Sequence, residues 1–296
     1  METPSPGSIH QQVKSTYIFG KAFGTEAASE NFPVGSWLLP ARLRPHVFTF
    51  YNFARAADDI ADSAVLAPDD KIHHLELFER ILLGKEQDPG GYGVVTAMQG
   101  SLATTGVASR HCLDLLAAFR QDATKDRYQD WADLIGYCRL SAVPVGRYMI
   151  DLHGGSTSGY GASDSLCMAL QILNHVQDCG DDFRTLDRIY LPGDWMAEAR
   201  LGGDDLAADE CSPGLRQVLD WTLTGVANLL ADSSAMTGAL KSTRLALESA
   251  VIIAIARALN KKLAKNDPLN RRIVLGKREL MMSTTRGILA GIWARL

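Results

Sequence analysis

The sequence predicts an all-α fold in a single domain, and three observations lead to this prediction. Nearly every long segment of the 296-residue chain repeats apolar residues at spacings of three and four, the period of an amphipathic helix. The Gly- and Pro-rich segments between them are too short for interdomain linkers, and strand-like segments do not alternate with helical ones. We therefore predict one domain over residues 13–296, preceded by a flexible, polar N-terminus at residues 1–12.

The helical period divides the chain into eight segments. In chain order they are residues 46–63, 71–83, 111–123, 131–152, 162–184, 213–230, 242–264 and a final helix within 271–296. Turn-forming residues separate several of them, as in DPGGYG (88–93), HGGSTSGYG (153–161), LPGD (191–194) and LGGDD (201–205). These four segments are predicted to be interhelical loops.

Composition excludes several functional classes. Thirty Lys and Arg against 34 Asp and Glu give a net charge of −4, so nucleic acid is not an expected partner. The five cysteines are scattered without a CxxC pair, which favours a reducing, cytoplasmic location over a disulfide framework or a zinc site. The N-terminus lacks a secretory signal pattern, and the longest strongly apolar run, residues 250–256, is far shorter than the roughly 20 residues that span a bilayer. The chain also lacks a P-loop motif, a GxGxxG motif after a strand, and an HExxH motif.

Two acidic clusters are the candidates for chemistry. Asp58 and Asp62 lie four residues apart, as do Asp178 and Asp182, so each pair of carboxylates shares one face of a helix. Comparable pairs elsewhere lie in mixed-charge or Gly-rich stretches and are interpreted as solvated surface; they are 122/126, 126/130 and 205/209. The two candidate pairs instead end long amphipathic segments that are otherwise largely apolar.

Each acidic pair extends a polar stripe along its helix. Tyr51 and Arg55 share a face with the first pair, and Gln171 and Asn174 share a face with the second. Such stripes are costly to bury unless they face a cavity that holds a divalent metal and a polyanion. Mg²⁺ bound by carboxylates would stabilise a departing diphosphate, with Arg55 neutralising charge. From spacing alone, charged helix ends remain an equal alternative.

Four motifs resemble those of the squalene/phytoene synthase family. They are YNFARAADDIAD (51–62), YCRLSAVPVG (137–146), NHVQDCGDD (174–182) and RIYLP (188–192), in the order typical of the family and within a resemblance that covers residues 15–290. Within the family, the chain is most similar to the bacterial hydroxysqualene synthases of hopanoid biosynthesis. That narrower resemblance rests on NFPV (31–34), LLP (38–40), LRPH (43–46), PVG (144–146) and LNHVQDC (173–179).

The resemblance implies an isoprenoid-synthase helical bundle with both acidic motifs at the mouth of a central hydrophobic pocket. It implies Mg²⁺ ligands at Asp58, Asp62, Asn174, Asp178 and Asp182. It implies substrate-binding or catalytic roles for Tyr51, Arg55, Gln171 and Phe32. Asp181 takes the remaining acidic position of the second motif, without an assigned metal contact.

The activity implied is Mg²⁺-dependent ionisation of presqualene diphosphate, followed by cation rearrangement and capture by water, with no nicotinamide cofactor. Phe32, Phe50, Phe53 and Tyr148 are candidates to stabilise the cation if they line the pocket. Gln177 stands where many relatives have Arg before the second-motif Asp, which removes one diphosphate-binding charge. An enzyme that holds a single diphosphate tolerates this loss better than one that condenses two.

Two alternatives remain open. The chain could condense two farnesyl diphosphates to presqualene diphosphate or squalene, or it could be a catalytically silent scaffold protein that binds neighbouring pathway enzymes. Residues 261–296 contain nine basic and two acidic residues, a local charge of +7. This excess is typical of a solvated helix face, and it also fits peripheral contact with anionic lipid at the inner face of the membrane. Arg272 or Lys277 is a further candidate for contact with diphosphate.

Overall fold

The computed structural model describes residues 40–295, which form a bundle of helices with one small parallel strand pair. In chain order the helices are α1 (Arg44–Ala61), α2 (Pro68–Leu82), α3 (Gly93–Thr105), α4 (Arg110–Asp122), α5 (Trp131–Ser141), α6 (Val143–Leu152), α7 (Tyr160–Leu186), α8 (Gly193–Glu198), α9 (Asp204–Ala207), α10 (Pro213–Asp232), α11 (Met236–Ala239), α12 (Thr243–Leu263) and α13 (Lys277–Trp293). Single 3₁₀ turns lie at Thr157–Gly159 and Ser233–Ala235. The all-α prediction is confirmed.

Sequence signals account for several helix starts. Asp130, Ser212 and Ser242 each cap a helix by accepting a hydrogen bond from the backbone N–H three residues later, which satisfies one of the donors exposed at a helix N-terminus. Proline occupies the first turn of α1, α2, α6 and α10, where its missing N–H costs nothing. Residues 1–12, predicted to be a flexible terminus, lie outside the described residues.

Some elements differ from the sequence-based prediction. The helix expected over residues 131–152 divides at Ala142 into α5 and α6, because Pro144 cannot donate the backbone hydrogen bond that a continuous helix requires. Helix α3 was not predicted, since its run of small residues gives it only a weak amphipathic pattern. In the C-terminal segment, residues 271–276 are irregular and the helix begins at Lys277.

The strand pair joins two distant loops. Strand β1 (Arg127–Tyr128) runs parallel to β2 (Ile189–Pro192), with Arg127 opposite Ile189 and Tyr128 opposite Pro192. Every residue of β2 is buried, so this strand has no polar alternation to distinguish it from a buried loop or helix turn. Its pairing fixes the segment that begins with Arg188 close to the end of α4.

Two hydrophobic clusters form the core. One cluster contains residues of α1, α2, α3, α4 and α6. The other lies around α7 and contains residues of α5, α10 and α12. The 27-residue helix α7 packs against α5, α6, α10 and α12, and it carries buried residues on most of its circumference. Between residues 40 and 295, no helix is both long and apolar enough to cross a membrane.

Candidate active site

A deep pocket opens between the two hydrophobic clusters. Its empty volume, including the open mouth, is about 1330 Å³. Helices α1 and α4 form one side, and α5, α6, α7 and α12 form the others; the walls are mostly apolar. Five of the residues singled out in the sequence line it: Phe50, Tyr51, Arg55, Asp58 and Gln171.

The first acidic motif lies at the C-terminal end of α1. Asp58 is only 4% exposed, and its Oδ2 accepts no hydrogen bond, although a guanidinium nitrogen of Arg55 lies 3.8 Å away. Burial and the nearby Asp62 carboxylate raise the pKa of Asp58 well above the usual range, and Arg55 opposes this rise. Arg55 also pairs with Asp59 at 2.9 Å. The pocket wall therefore presents a cation and a carboxylate side by side.

The other carboxylate of the first motif, Asp62, is paired with a buried arginine. Its Oδ1 accepts a hydrogen bond from Nη1 of Arg188 at 2.6 Å, and both side chains are buried. The same guanidinium donates to the backbone carbonyls of Asp122, at 3.1 Å, and Ala61. One buried cation thus joins the end of α1, the end of α4 and the residue before β2.

Asp122 connects this network to the pocket. Its Oδ2 accepts a hydrogen bond of 3.0 Å from the hydroxyl of Tyr137, and the Tyr137 side chain lines the pocket. Burial raises the pKa of Asp122 to about 7, against the opposing effect of Arg188. Asp62 and Asp182 both add to this rise, which places carboxylates from both acidic motifs within electrostatic reach of Asp122.

The second acidic motif lies near the C-terminal end of α7 and is more open. Asp178 pairs with Arg272, whose Nε lies 3.1 Å from Oδ1 and whose Nη2 lies 3.3 Å from Oδ2. Burial raises the pKa of Asp178 to about 6, and Arg272 lessens the rise. Asp181 is exposed and contacts Arg184 at 3.3 Å, as expected of a surface carboxylate.

Asp182 faces an aromatic stack behind the pocket. Its Oδ2 lies 3.8 Å from Nδ1 of His175, and the His175 ring stacks on Tyr190 with centroids 3.6 Å apart. Burial lowers the pKa of His175, which favours the neutral imidazole. On its other side, Nε2 of His175 lies 3.0 Å from the side-chain amide of Gln171, a pocket-lining residue.

The structure brings only part of the expected site to the pocket surface. Asp62, Asn174, Asp178 and Asp182 lie outside the pocket lining, and Phe32 lies outside the described residues. Among the aromatic candidates, Phe50 lines the pocket. Phe53 and Tyr148 do not meet the condition of lining the pocket, because both are fully buried in the cluster around α1; Tyr148 stacks behind Phe50 at 3.9 Å.

Sequence reasoning assigned no individual role to Arg188 or Tyr137, although both lie in the motifs quoted above. Its interpretation of Asp122 as part of a solvated surface pair was wrong, because Asp122 is only 9% exposed and contacts Tyr137 inside the bundle. Their pairing depends on contacts between residues far apart in the chain, which spacing along one helix does not reveal. Gln177 also has a structural role: its side-chain amide donates to the carbonyl of Ile273 at 2.5 Å, next to Arg272. This hydrogen bond holds the segment after α12 beside α7, where Arg272 of that segment pairs with Asp178 of the second motif.

The donor set fits hard divalent cations such as Mg²⁺. Among residues 40–295 no three His, Cys, Asp or Glu side chains are grouped as a ready-made metal site. Mg²⁺ commonly binds through one or two carboxylates and completes its coordination with water and phosphate oxygens. The Asp58 oxygen that accepts no hydrogen bond, on a buried carboxyl group at the pocket, has the chemistry of such a ligand.

Comparison with known proteins identifies the family of the chain. Residues 25–279 match the family model of squalene/phytoene synthases. The chain is 45% identical to a hydroxysqualene synthase of Rhodopseudomonas palustris, with 88% of each chain covered. It is 42% identical to one from Sinorhizobium fredii, with 86% of each covered, and 39% identical to one from Zymomonas mobilis, covering 85% of this chain and 84% of that one.

Solved structures with the same fold include a squalene synthase from Alicyclobacillus acidocaldarius. It is 28% identical, has a TM-score of 0.67, and the match covers 77% of this chain and 85% of that one. A dehydrosqualene synthase in complex with a ligand matches with a TM-score of 0.69 at 22% identity, over 88% of this chain and 91% of that one. The second likeness shows a shared fold.

Proposed function

The chain belongs to the squalene/phytoene synthase family, and from this premise we propose that it is a hydroxysqualene synthase. It ionises presqualene diphosphate, allows the cation to rearrange and captures it with water, giving hydroxysqualene and diphosphate. The observation that carries the proposal is the 39–45% identity to three hydroxysqualene synthases over most of each chain. The family consists of enzymes that process prenyl diphosphates.

We assign the metal to the two acidic motifs. Asp58, Asp62, Asp178 and Asp182, with Asn174, would hold Mg²⁺, which supplies charge neutralisation for the diphosphate leaving group. Arg55 adds a protein cation at the pocket wall, 3.8 Å from Asp58. Arg188 compensates the buried carboxylate of Asp62, so the first motif is stabilised by a cation of the chain itself.

The pocket holds the hydrocarbon and protects the cation. Tyr51 and Gln171 line it beside Arg55, in position to orient the diphosphate end of a substrate. The remaining walls are mostly apolar, which favours a long isoprenoid chain and limits access of bulk water to the cation. Phe50 supplies an aromatic lining residue, held by its stacking on Tyr148.

The test is product analysis by gas chromatography and mass spectrometry. Purified protein with Mg²⁺ is incubated separately with presqualene diphosphate and farnesyl diphosphate, each with and without NADPH. Hydroxysqualene from presqualene diphosphate without NADPH is the expected result. Presqualene diphosphate or squalene from farnesyl diphosphate would instead establish a condensing enzyme, and the absence of any product would favour a scaffold role.

We also propose that α13 contacts an anionic membrane surface, from which the enzyme draws its lipid substrate. Large apolar side chains are exposed along this helix, including Met281 at 65%, Leu289 at 63% and Trp293 at 81%. Exposed basic residues flank them at Lys277, Arg278, Arg286 and Arg295. An exposed apolar row bordered by cations is typical of helices that lie in a lipid interface.

Sedimentation with vesicles tests this surface. The protein should bind vesicles containing phosphatidylglycerol and bind phosphatidylcholine vesicles much less, because the anionic headgroups attract the basic residues. The variant M281S/L289S should lose binding. Val65→Ser, a control at a side chain that is 78% exposed elsewhere on the molecule, should retain it. Equal binding by the double variant would show that α13 is not the contact.

A further inference from the structure

Two serine hydroxyls in the pocket wall lack the partners that buried hydroxyls normally have. Ser163 of α7 is fully buried, and the hydroxyl oxygen of Ser141, the last residue of α5, is shielded from solvent. Neither hydroxyl has a hydrogen-bond partner of standard geometry among the described residues. The Ser163 hydroxyl lies against the Cys167 thiol one turn along the helix, a weak hydrogen-bonding group. Buried hydroxyls of this kind usually bind an ordered water or a ligand.

A third serine in the same wall shows the usual arrangement. Ser249 of α12 also lines the pocket, but its hydroxyl donates to the carbonyl of Leu245 on its own helix at 2.8 Å. A serine inside a helix commonly satisfies its hydroxyl in this way. Because Ser141 and Ser163 do not, their hydrogen-bonding capacity remains available to a molecule inside the pocket.

A glycine of α6 maintains this arrangement. Gly146 lines the pocket, and a Cβ atom at this position would lie 2.4 Å from the Ser163 hydroxyl oxygen and 2.6 Å from the Cys167 sulfur. Both distances are too short for non-bonded atoms, so any larger residue would displace the hydroxyl. Gly146 therefore allows α6 to approach α7 while the Ser163 hydroxyl keeps its place.

The same pocket contains a buried carboxylate away from the acidic motifs. Glu248 of α12 is 6% exposed and lines the pocket on a different helix from Asp58. Its position places a carboxylate in the same cavity as the hydroxyls of Ser141 and Ser163. A carboxylate is also the type of group that accepts a proton in general base catalysis.

We propose that Ser141 and Ser163 hold the water molecule that captures the carbocation, and that Glu248 accepts the proton which this water loses. The inference rests on the proposed function. The carbon–oxygen bond to diphosphate breaks first and leaves its electron pair on the diphosphate oxygen. After the cation has rearranged, a lone pair of the bound water forms the new carbon–oxygen bond, and one water proton passes to the Glu248 carboxylate. The products are a neutral alcohol and diphosphate, with no redox change.

The experiment measures two quantities in one reaction with presqualene diphosphate and Mg²⁺: diphosphate released and hydroxysqualene formed. In the variant S141A/S163A, the ratio of alcohol to diphosphate should fall about thirtyfold, the combined effect of losing two hydrogen bonds of ordinary strength to the reacting water. Diphosphate release should remain near that of the unmodified enzyme, and the missing alcohol should appear as hydrocarbons formed by proton loss. Glu248→Gln should lower the same ratio, because an amide does not accept the proton.

Ser233→Ala is the matched control. Ser233 is fully buried like Ser163, but its hydroxyl donates to the Leu230 carbonyl at 2.9 Å, and it lies outside the pocket lining. This variant should keep the ratio of the unmodified enzyme. An unchanged ratio in folded S141A/S163A would overturn the inference; if that variant does not fold, S141A and S163A provide the same comparison separately. Failure of the unmodified enzyme to form hydroxysqualene would instead overturn the proposed function.

Discussion

The two acidic motifs share one spacing along their helices but have different environments. Asp58 and Asp62 are 4% and 7% exposed, and Asp62 pairs with Arg188, a cation buried within the bundle. Asp178 is half-buried and pairs with Arg272, whose side chain is 35% exposed and which belongs to the irregular segment 271–276. The first motif is therefore built into the core, whereas the second is completed by a more accessible part of the chain.

This difference follows from where each motif lies on its helix. Asp62 caps the C-terminal end of α1, where the helix dipole is unfavourable to a carboxylate, and it depends on Arg188 for compensation. Asp178 lies two turns before the end of α7, and its cation arrives from the segment after α12. The same sequence pattern thus gives one buried acidic motif and one more exposed acidic motif, and substitutions can test the two separately.

The largest expected effect comes from removing one carboxylate of either motif. Asp58→Asn and Asp178→Asn should each reduce turnover by orders of magnitude, because both motifs are proposed to bind the metal that stabilises the leaving group. Their stabilities should differ: the melting temperature of D58N should rise, since the raised pKa of Asp58 reflects an unfavourable buried charge. Steady-state kinetics and thermal unfolding check both expectations. Near-normal turnover in either folded variant would show that its motif does not bind an essential metal.

The second prediction compares the two counter-cations by stability. Arg188→Met should lower the free energy of unfolding by about 3–5 kcal/mol, because it leaves the Asp62 carboxylate buried without its partner. Arg272→Met should cost only about 0–1 kcal/mol, as expected of a partly exposed pair. Denaturant unfolding measures both variants. Equal losses would mean that the greater burial of the Arg188–Asp62 pair does not make it more important for stability.

The third prediction concerns pH and the carboxyl group beside the first motif. The pKa of Asp122 is about 7 in the folded protein, above its ordinary value of 3.8, so its contribution favours folding at low pH and is lost as the pH rises to about 7. Asp122→Asn removes this dependence. The melting temperature of D122N should therefore exceed that of the unmodified protein by several degrees at pH 8, and by less at pH 5. A difference that is constant with pH would contradict the raised pKa.

The smallest expected effect is at Gln177. Gln177→Leu removes the hydrogen bond to the Ile273 carbonyl and should cost about 1 kcal/mol of stability. The change should be local, since this bond anchors the segment that carries Arg272. Hydrogen exchange should become faster within residues 271–276, while α1 keeps its protection. Unchanged exchange in 271–276 would show that other contacts hold this segment.

The long amphipathic helices were predicted well because their apolar spacing is a local property of the sequence. The stripe of Tyr51, Arg55 and Asp58 reaches the pocket as expected for residues on one helix face. Arg188 and Asp122 could not be paired in advance, because their contact depends on the β1–β2 pairing of segments about 60 residues apart. Gln177 was interpreted as a missing charge, and the cation supplied by Arg272 depends on the fold of the segment after α12.

In helix α13 the small residues are buried and the large apolar residues are exposed, the reverse of the usual arrangement. Its buried side consists of Ser283, Gly287 and Gly291, and a Cβ at Gly287 would lie 2.5 Å from the backbone of Val251 in α12. The backbones of α12 and α13 are therefore in close contact, and the small residues of α13 form the packing interface. The large apolar residues of α13 contribute little to folding, so selection is free to shape them for whatever surface they meet outside the molecule.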